Sequence, residues 1–573
     1  GIVAKDVSKY NRANIRINSQ HKLYKWLTIG ENLGYSHSIT NAVGNTNSEF
    51  GGPLSSAINL DPITPAIITD PAVAGAAPYS TQPVFRDQFG NPYGISTRVA
   101  QEITNPLGDI RRRIGNYSWD HNIVGNAFVE AEPVKGLKFR STIGSKLAFY
   151  GSDGFNPIYY LNSSTSNTRT QFSRNINYII TYNLENTLSY TRSLGNHNLS
   201  LLVGQGSYSD GFSRSVSTTF YDVPAQDFYS ASMRFKPVAA NRTSDGSEGT
   251  DHKVFSLFSR LTYDYKEKYL FSALIRRDGS SRFGANNKYG YFPSAQIGWV
   301  PTKEDFFPQN RIVNFLKIRG SYGVTGNDGI GDFAYVPLVG SGRNYTFGNE
   351  NIVNIGYSPA ASANPDLKWE ETRQTNIGID ATLFQNVTLV LDWYKKKTVG
   401  ILQNPPVPGY IGSGSPAANI ADMSNSGFEF ELGYRKNFGE FNFGSSGNGS
   451  FLKNRIDKLS PGVNFIDDSQ ASFQTLGNIT RTQIGHAYNE FYGYVNQGIF
   501  QSQAEINAYR GPNGTILQPL AKPGDVKFAN LNNDEAIDVN DRDFIGSGLP
   551  NFTYGLTLNL SYKNWDLIAF GSG

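Results

Sequence analysis

The sequence predicts an all-β fold, a large antiparallel β-barrel of the transmembrane kind, from three observations. The first is strict alternation, cleanest from Phe552 to Tyr562. There Phe552, Tyr554, Leu556, Leu558, Leu560 and Tyr562 are large and apolar, while Thr553, Gly555, Thr557, Asn559 and Ser561 between them are small and polar. Successive strand residues face opposite ways, so this segment has one greasy face with aromatic ends and one wet face, as a barrel strand between lipid and water requires. The second is hydropathy: only 39% of the 573 residues are hydrophobic, and no run approaches the roughly 18 apolar residues of a membrane helix. That excludes helical spans but not a barrel, where only alternate residues meet lipid. The third is spacing, in which tight turns alternate with long polar excursions.

Taken in order, alternating segments 10–19 and 26–36 flank a turn at 20–25, and 117–132 and 137–150 flank 133–136. Segments 180–191 and 199–208 flank 194–197, and 254–265 and 269–277 flank 266–268. Strands 289–299 and 316–324 follow. Then 376–384 and 388–396 flank 385–387, and 428–435 and 441–451 flank 436–440. With the C-terminal segments the total is about 15–17 strands. Residues 38–116, 209–251, 325–367, 398–424 and 454–550 are long and rich in Gly, Pro, Asn and Ser. Short turns on one side and long loops on the other match an outer-membrane barrel, the loops being extracellular. A sandwich or propeller would be more evenly spaced.

Charge parity assigns the faces. In 254–265, Phe255, Leu257, Leu261, Tyr263 and Tyr265 point to lipid, and Ser256, Arg260, Thr262 and Asp264 to the lumen. In 316–324, Leu316, Ile318, Tyr322 and Val324 face out, and Lys317, Arg319 and Ser321 face in. Glu429 and Glu431 alternate correctly with Phe428, Phe430 and Leu432, whereas Glu31, between Ile29 and Leu33, breaks the rule and implies an interface position or a bulge. A net charge of +3 argues against nucleic-acid binding as the main role, and the absence of cysteine removes disulfides and thiolate metal sites.

Residues 274–284 (LIRRDGSSRFG), with 291–294 (YFPS) and Gly298-Trp299, resemble a hallmark of the SusC-like (RagA-type) TonB-dependent outer-membrane transporters of Bacteroidetes. Residues 316–327 (LKIRGSYGVTGN), 364–372 (NPDLKWEET) with 376–378 (NIG), 425–432 (NSGFEFEL), and 541–546 (DRDFIG) before 550–555 (PNFTYG) are further such segments. They follow the family's order across about residues 1–573. The resemblance implies a 22-stranded barrel, of which this chain carries the wall. It places residues 1–3 and 16–18 just after an N-terminal plug, and the chain's end several strands before closure. The plug, the TonB-contacting segment and the last strands are therefore expected outside this chain. It further implies active import of an oligosaccharide or peptide, a SusD-like surface lipoprotein as partner, and TonB-derived energy. A passive porin-like channel, or a surface glycan-binding or adhesin β protein, are the alternatives.

Two candidate sites follow. At the position where the family often carries an EF-hand-like loop, residues 530–541 would offer calcium the side chains of Asn530, Asn532, Asp534, Asp538 and Asp541 and the Ala536 carbonyl. Asn at loop position 1, and Glu535 where the turn glycine belongs, weaken that reading against a loop held by Asx-type hydrogen bonds. The loop aromatics Tyr335, Tyr345, Phe347, Tyr357 and Tyr410 suit sugar stacking in an external vestibule, or packing within the loops. No Ser-His-Asp context, nucleophile elbow or P-loop occurs, and the six histidines have no metal spacing. The resemblance to transporters, which break no bonds, implies no catalytic residues and no enzyme activity.

Overall fold

The computed structural model describes residues 7–43, 52–99, 103–235, 237–308, 310–348, 352–405, 407, 410, 412–467 and 477–573. Residues 1–3, matched above to the early barrel, lie outside them. Among the described residues, seventeen strands enter large antiparallel sheet. They are β1 (Lys9–Tyr24), β2 (Leu27–Asn41), β3 (Tyr117–Val134), β4 (Leu137–Asn156), β5 (Gln171–Leu194), β6 (His197–Tyr221), β7 (Arg242–Glu248), β8 (Lys253–Tyr265), β9 (Tyr269–Ser280), β10 (Tyr289–Trp299), β11 (Val313–Asn327), β12 (Glu370–Leu383), β13 (Val387–Gln403), β14 (Ala418–Phe438), β15 (Phe441–Lys458), β16 (Phe552–Tyr562) and β17 (Trp565–Ser572).

Many strands exceed the 9–11 residues that cross a bilayer; β5 has 24 and β6 has 25. They outrun the alternation because polar residues continue the ladder beyond the apolar band. The first turn is therefore residues 25–26 rather than 20–25, since Lys22 pairs Thr28 and His21 pairs Ile29. Likewise Lys436 pairs Phe443 and Asn437 pairs Asn442, leaving a two-residue turn at 439–440, with Gly439 at φ 65°. Such tight turns need a positive φ, which glycine adopts without strain. At the other end the long connections shorten to 42–116, 328–369, 404–417 and 459–551.

The chain divides into two compact units. The first, residues 1–187 and 206–254, contains the antiparallel meander β1–β2–β3–β4, whose register shifts only beside the turns, at Lys22/Tyr24 and Ala131/Val134. Here Glu31 pairs Ser19 and Ala127 without a register shift, so no bulge marks it. Its carboxylate instead accepts a 2.6 Å hydrogen bond from Ser19 Oγ. The described residues of the 42–116 connection form local structure. Three short helices, Pro53–Asn59, Pro71–Ala74 and Pro106–Arg111, each begin with proline in the first turn, where its missing N–H costs nothing. Asn105 caps the last helix through Leu107 N (3.0 Å) and donates to the Ala66 and Gly94 carbonyls. Phe155, Phe172 and Val223 form an apolar cluster in this unit.

The second unit, residues 188–205 and 255–573, contains the nine-stranded meander β9 to β17, each strand pairing the next. The two faces are as the alternation predicts. Along β16, Phe552, Tyr554, Leu556 and Tyr562 are exposed on one face, and Phe552 stacks on Phe451 of β15 at 4.6 Å. The apolar face is exposed because the hydrophobic burial that normally hides such residues is here left to the surroundings. The 459–551 connection folds into a small sheet of Phe465–Asp467, Thr480–Gln483, Glu490–Tyr494 and Arg542–Gly546, with a helix, Gln503–Ala508, and buried Phe500, Ile506 and Leu517. Phe283, Phe292, Leu367, Trp369 and Ala417 form a second core where strand ends meet the loops.

Candidate functional site

The polar face of β11–β13 gathers charge by register alone. Lys317 pairs Asp380, Arg319 pairs Gly378, and Gly378 pairs Asp392 across three adjacent strands. Arg319 donates from Nη1 and Nη2 to the two Asp392 carboxylate oxygens at 2.7 and 2.6 Å, a bidentate pair. Its Nε donates to Asp380 Oδ1 at 3.0 Å and Nη1 to Asn376 Oδ1 at 3.2 Å, while Lys317 Nζ lies 3.5 Å from Asp380 Oδ2. Gly378 makes this possible: a Cβ there would sit 2.5 Å from the guanidinium carbon. The sequence identified Lys317 and Arg319 as inward-facing but not their partners Asp380 and Asp392. The inward parity of those aspartates was the available signal. Two cations face two carboxylates, so the cluster is neutral and fixed. Arg260 stands apart, in a cleft of about 330 Å³ lined also by Ser272, Gln296, Ser321 and Gln374.

The five loop aromatics separate. Tyr335 packs against the Phe283–Trp369 core. Tyr345 and Phe347 meet edge-on at 5.0 Å and both remain about two-thirds exposed, as does Tyr357. Tyr357 lies on a short strand, Tyr357–Pro359, paired with Val339–Ser341. Tyr410 is 90% exposed. Arg343 links the two loops, donating to Ser358 Oγ at 3.2 Å and to the Gly412 carbonyl at 3.4 Å.

The 530–541 loop, the candidate calcium loop, is laced by hydrogen bonds between its own residues. Its oxygens are engaged in turns. Asp534 Oδ1 accepts from Ala536 N (2.9 Å) and Asp534 Oδ2 from Asn532 Nδ2 (2.6 Å). Asn530 Oδ1 accepts from Asp534 N (3.2 Å), and Asp538 Oδ1 from Asn540 N (2.8 Å). Asp541 is fully buried, its two oxygens taking the N–H groups of Leu531 (2.7 Å) and Asp538 (2.8 Å). Among the described residues no three acidic or histidine side chains converge on a point that could hold a metal. Glu535, in place of the turn glycine, reaches back to the N–H groups of Asn513 and Thr515. The Asn513 N–H, more than any other neighbour, holds the Glu535 carboxyl below the usual carboxylate range. Gly511 leaves the room: a Cβ there would lie 2.6 Å from a Glu535 oxygen. Of the two departures from the motif, Glu535 thus ties this loop to the 511–515 turn, while Asn530 bonds to Asp534 within the loop.

The family model described as TonB dependent receptor-like, beta-barrel, matches residues 34–571. TonB-dependent receptor P3 of Formosa agariphila is 31% identical over 98% of this chain and 53% of its own length. TonB-dependent receptor SusC of Bacteroides thetaiotaomicron is 27% identical over 91% of this chain and 50% of its own. The solved RagAB peptide transporter superposes with a TM-score of 0.75 at 20% identity, covering 99% of this chain and 58% of that one. The chain therefore spans about half the length of the curated relatives it matches. It is the wall-forming portion of an outer-membrane β-barrel, and it belongs to the TonB-dependent receptor-like β-barrel family.

Proposed function

We propose that the complete protein actively imports an oligosaccharide or peptide nutrient across the outer membrane, driven by the TonB complex. We include in that reading a SusD-like surface lipoprotein seated over the long connections. The observation that carries it is similarity along nearly all of this chain to about half of each of several receptors of the TonB-dependent class, SusC among them, together with the fold it shares with the RagAB peptide transporter. The family is one of transporters, not enzymes. The neutral Lys317–Arg319–Asp380–Asp392 cluster gives the lumen wall a fixed polar lining against which a plug can seat and slide without leaving a bare charge. Tyr345, Phe347, Tyr357 and Tyr410 offer exposed ring faces for a sugar or an apolar peptide side chain at the loop end.

Uptake of labelled peptides and oligosaccharides by cells carrying or lacking the complete gene tests the proposal. One substrate class should accumulate only with the gene present and only in energised cells. Accumulation that persists after protonophore treatment would identify a passive channel. Copurification of a surface lipoprotein with the tagged protein, lost when residues 328–369 are shortened, tests the partner.

A further inference from the structure

The outward face of β12–β15 carries a second charge pattern, unlike that of the lumen. Above the aromatic residues Trp393, Phe428 and Phe451, which pair across the three strands, the next outward row reads Thr375, Lys395, Ser426, Lys453 in direct register. The row beyond reads Arg373, Lys397, Ser424, Arg455. Five cations thus stand on three of four neighbouring strands, with serines on β14 between them, on the lipid-facing parity, at the end that carries the long connections.

The two rows differ in how they are balanced. Arg373 pairs Glu371 at 2.8 Å and Arg455 pairs Asp457 at 2.9 Å, and Lys397 lies 3.9 Å from Asp422. Those three carboxylates are all on the loop side of the cations. Lys395 and Lys453, in the row next to the aromatics, are exposed and have no ion pair among the described residues. Below them the same face offers only Ile377, Trp393, Phe428 and Phe451. An aromatic belt marks the membrane–water interface, so two unbalanced ammonium groups sit at headgroup depth, with their stems free to snorkel along the apolar band. β13 and β15 are two strand spacings apart, about 10 Å. Ser424 and Ser426 of β14 lie between them, so small side chains floor a trough walled by Lys395 and Lys397 on one side and Lys453 and Arg455 on the other. The trough suits a compact, doubly charged acceptor group.

We propose that this trough binds the phosphate of an outer-leaflet glycolipid headgroup. Lys395 and Lys453 supply the charge, Lys397 and Arg455 the upper wall, and Ser426 a hydroxyl beneath. The lipid's acyl chains would lie along Trp393, Phe428 and Phe451. This site faces away from the transport path and stands whether the cargo is a sugar or a peptide.

The test is native mass spectrometry of the complete transporter in detergent, with phosphorylated lipid A and its dephosphorylated form as probes. A Lys395→Gln/Lys453→Gln variant is compared with Lys436→Gln/Lys563→Gln at the short-turn end. At about 1 kcal/mol per cation near the headgroups, the first variant should bind phosphorylated lipid A about thirty-fold more weakly, and the second should match the parent. Dephosphorylated lipid should bind all three alike. Equal retention by parent and Lys395/Lys453 variant overturns the proposal, as does equal binding of the two lipids. Complete displacement by millimolar inorganic phosphate would make the trough a free-anion site. Lysine-dependent capture of an acidic protein without lipid preference would make it a protein contact. Both results would also overturn the proposal. Unchanged heat-modifiable mobility confirms that the variants are folded.

Discussion

The inner face of β11–β13 and the outer face of β12–β15 each cluster cations, and they handle them oppositely. Inside, Arg319 is held by Asp392 and Asp380, with Lys317 alongside, and the geometry is so tight that Gly378 has no room for a side chain. Outside, Lys395 and Lys453 stand unbalanced beside aromatic residues. The difference teaches that one strand can use its alternation twice. The inward Lys317 and Arg319 are neutralised within the wall and serve its rigidity, while the outward Lys395 and Lys453 are left for something beyond the protein.

The largest effect that tests this comparison comes from moving charge to the wrong face. Leu556→Arg in the middle of β16 should destabilise the folded barrel by about 2–4 kcal/mol, and the neighbouring Thr557→Arg by much less, in unfolding of the complete protein in bilayers. Next, Asp392→Ala strips Arg319 of its bidentate partner and should cost about 2–3 kcal/mol. Lys395→Gln, which breaks no pair, should stay within about 0.5 kcal/mol of the parent. Equal losses would erase the distinction between the faces. A smaller effect is expected at Glu535. Its folded-state carboxyl titrates below the unfolded one, so its contribution is complete above the unfolded value of about 4.3 and fades as pH falls through the folded value. Hydrogen exchange at residues 511–515, corrected for intrinsic rate, should accelerate on acidification in the parent, and Glu535→Gln should remove that dependence. The smallest expected effect is none: millimolar calcium or EDTA should leave protection of residues 530–541 unchanged.

Much of the wall was legible because alternation is a local signal. Phe552–Tyr562 is a strand with the expected bounds, and Lys317 and Arg319 share one face of the sheet, as charge parity requires. What was not legible depends on register between distant segments. Arg319 and Asp392 are 73 residues apart, and no local pattern announces that they meet. Turn positions drifted for the same reason, since His21 and Lys436 are polar yet still paired in the ladder. The excursions carried no period, so the helix after Asn105 and the small sheet around Tyr492 went unread, although proline after asparagine is a start signal. At residues 530–541 the spacing suggested ligands, but the same Asx residues satisfy N–H groups within the loop, and only geometry separates the two uses. Tyr335 looked like its exposed neighbours in sequence and lies instead against the Phe283–Trp369 core.

The central claim, that each strand divides lipid from water residue by residue, has a direct measurement. These 573 residues contain no cysteine, so single cysteines placed at each position from Phe552 to Tyr562 can carry a fluorophore in the complete protein reconstituted into vesicles. Quenching by a lipid-soluble probe should be strong at 554, 556, 558 and 560 and weak at 553, 555, 557, 559 and 561, with a water-soluble quencher giving the reverse. Quenching that varies smoothly along the segment, or is uniform for both probes, would contradict a membrane-spanning wall.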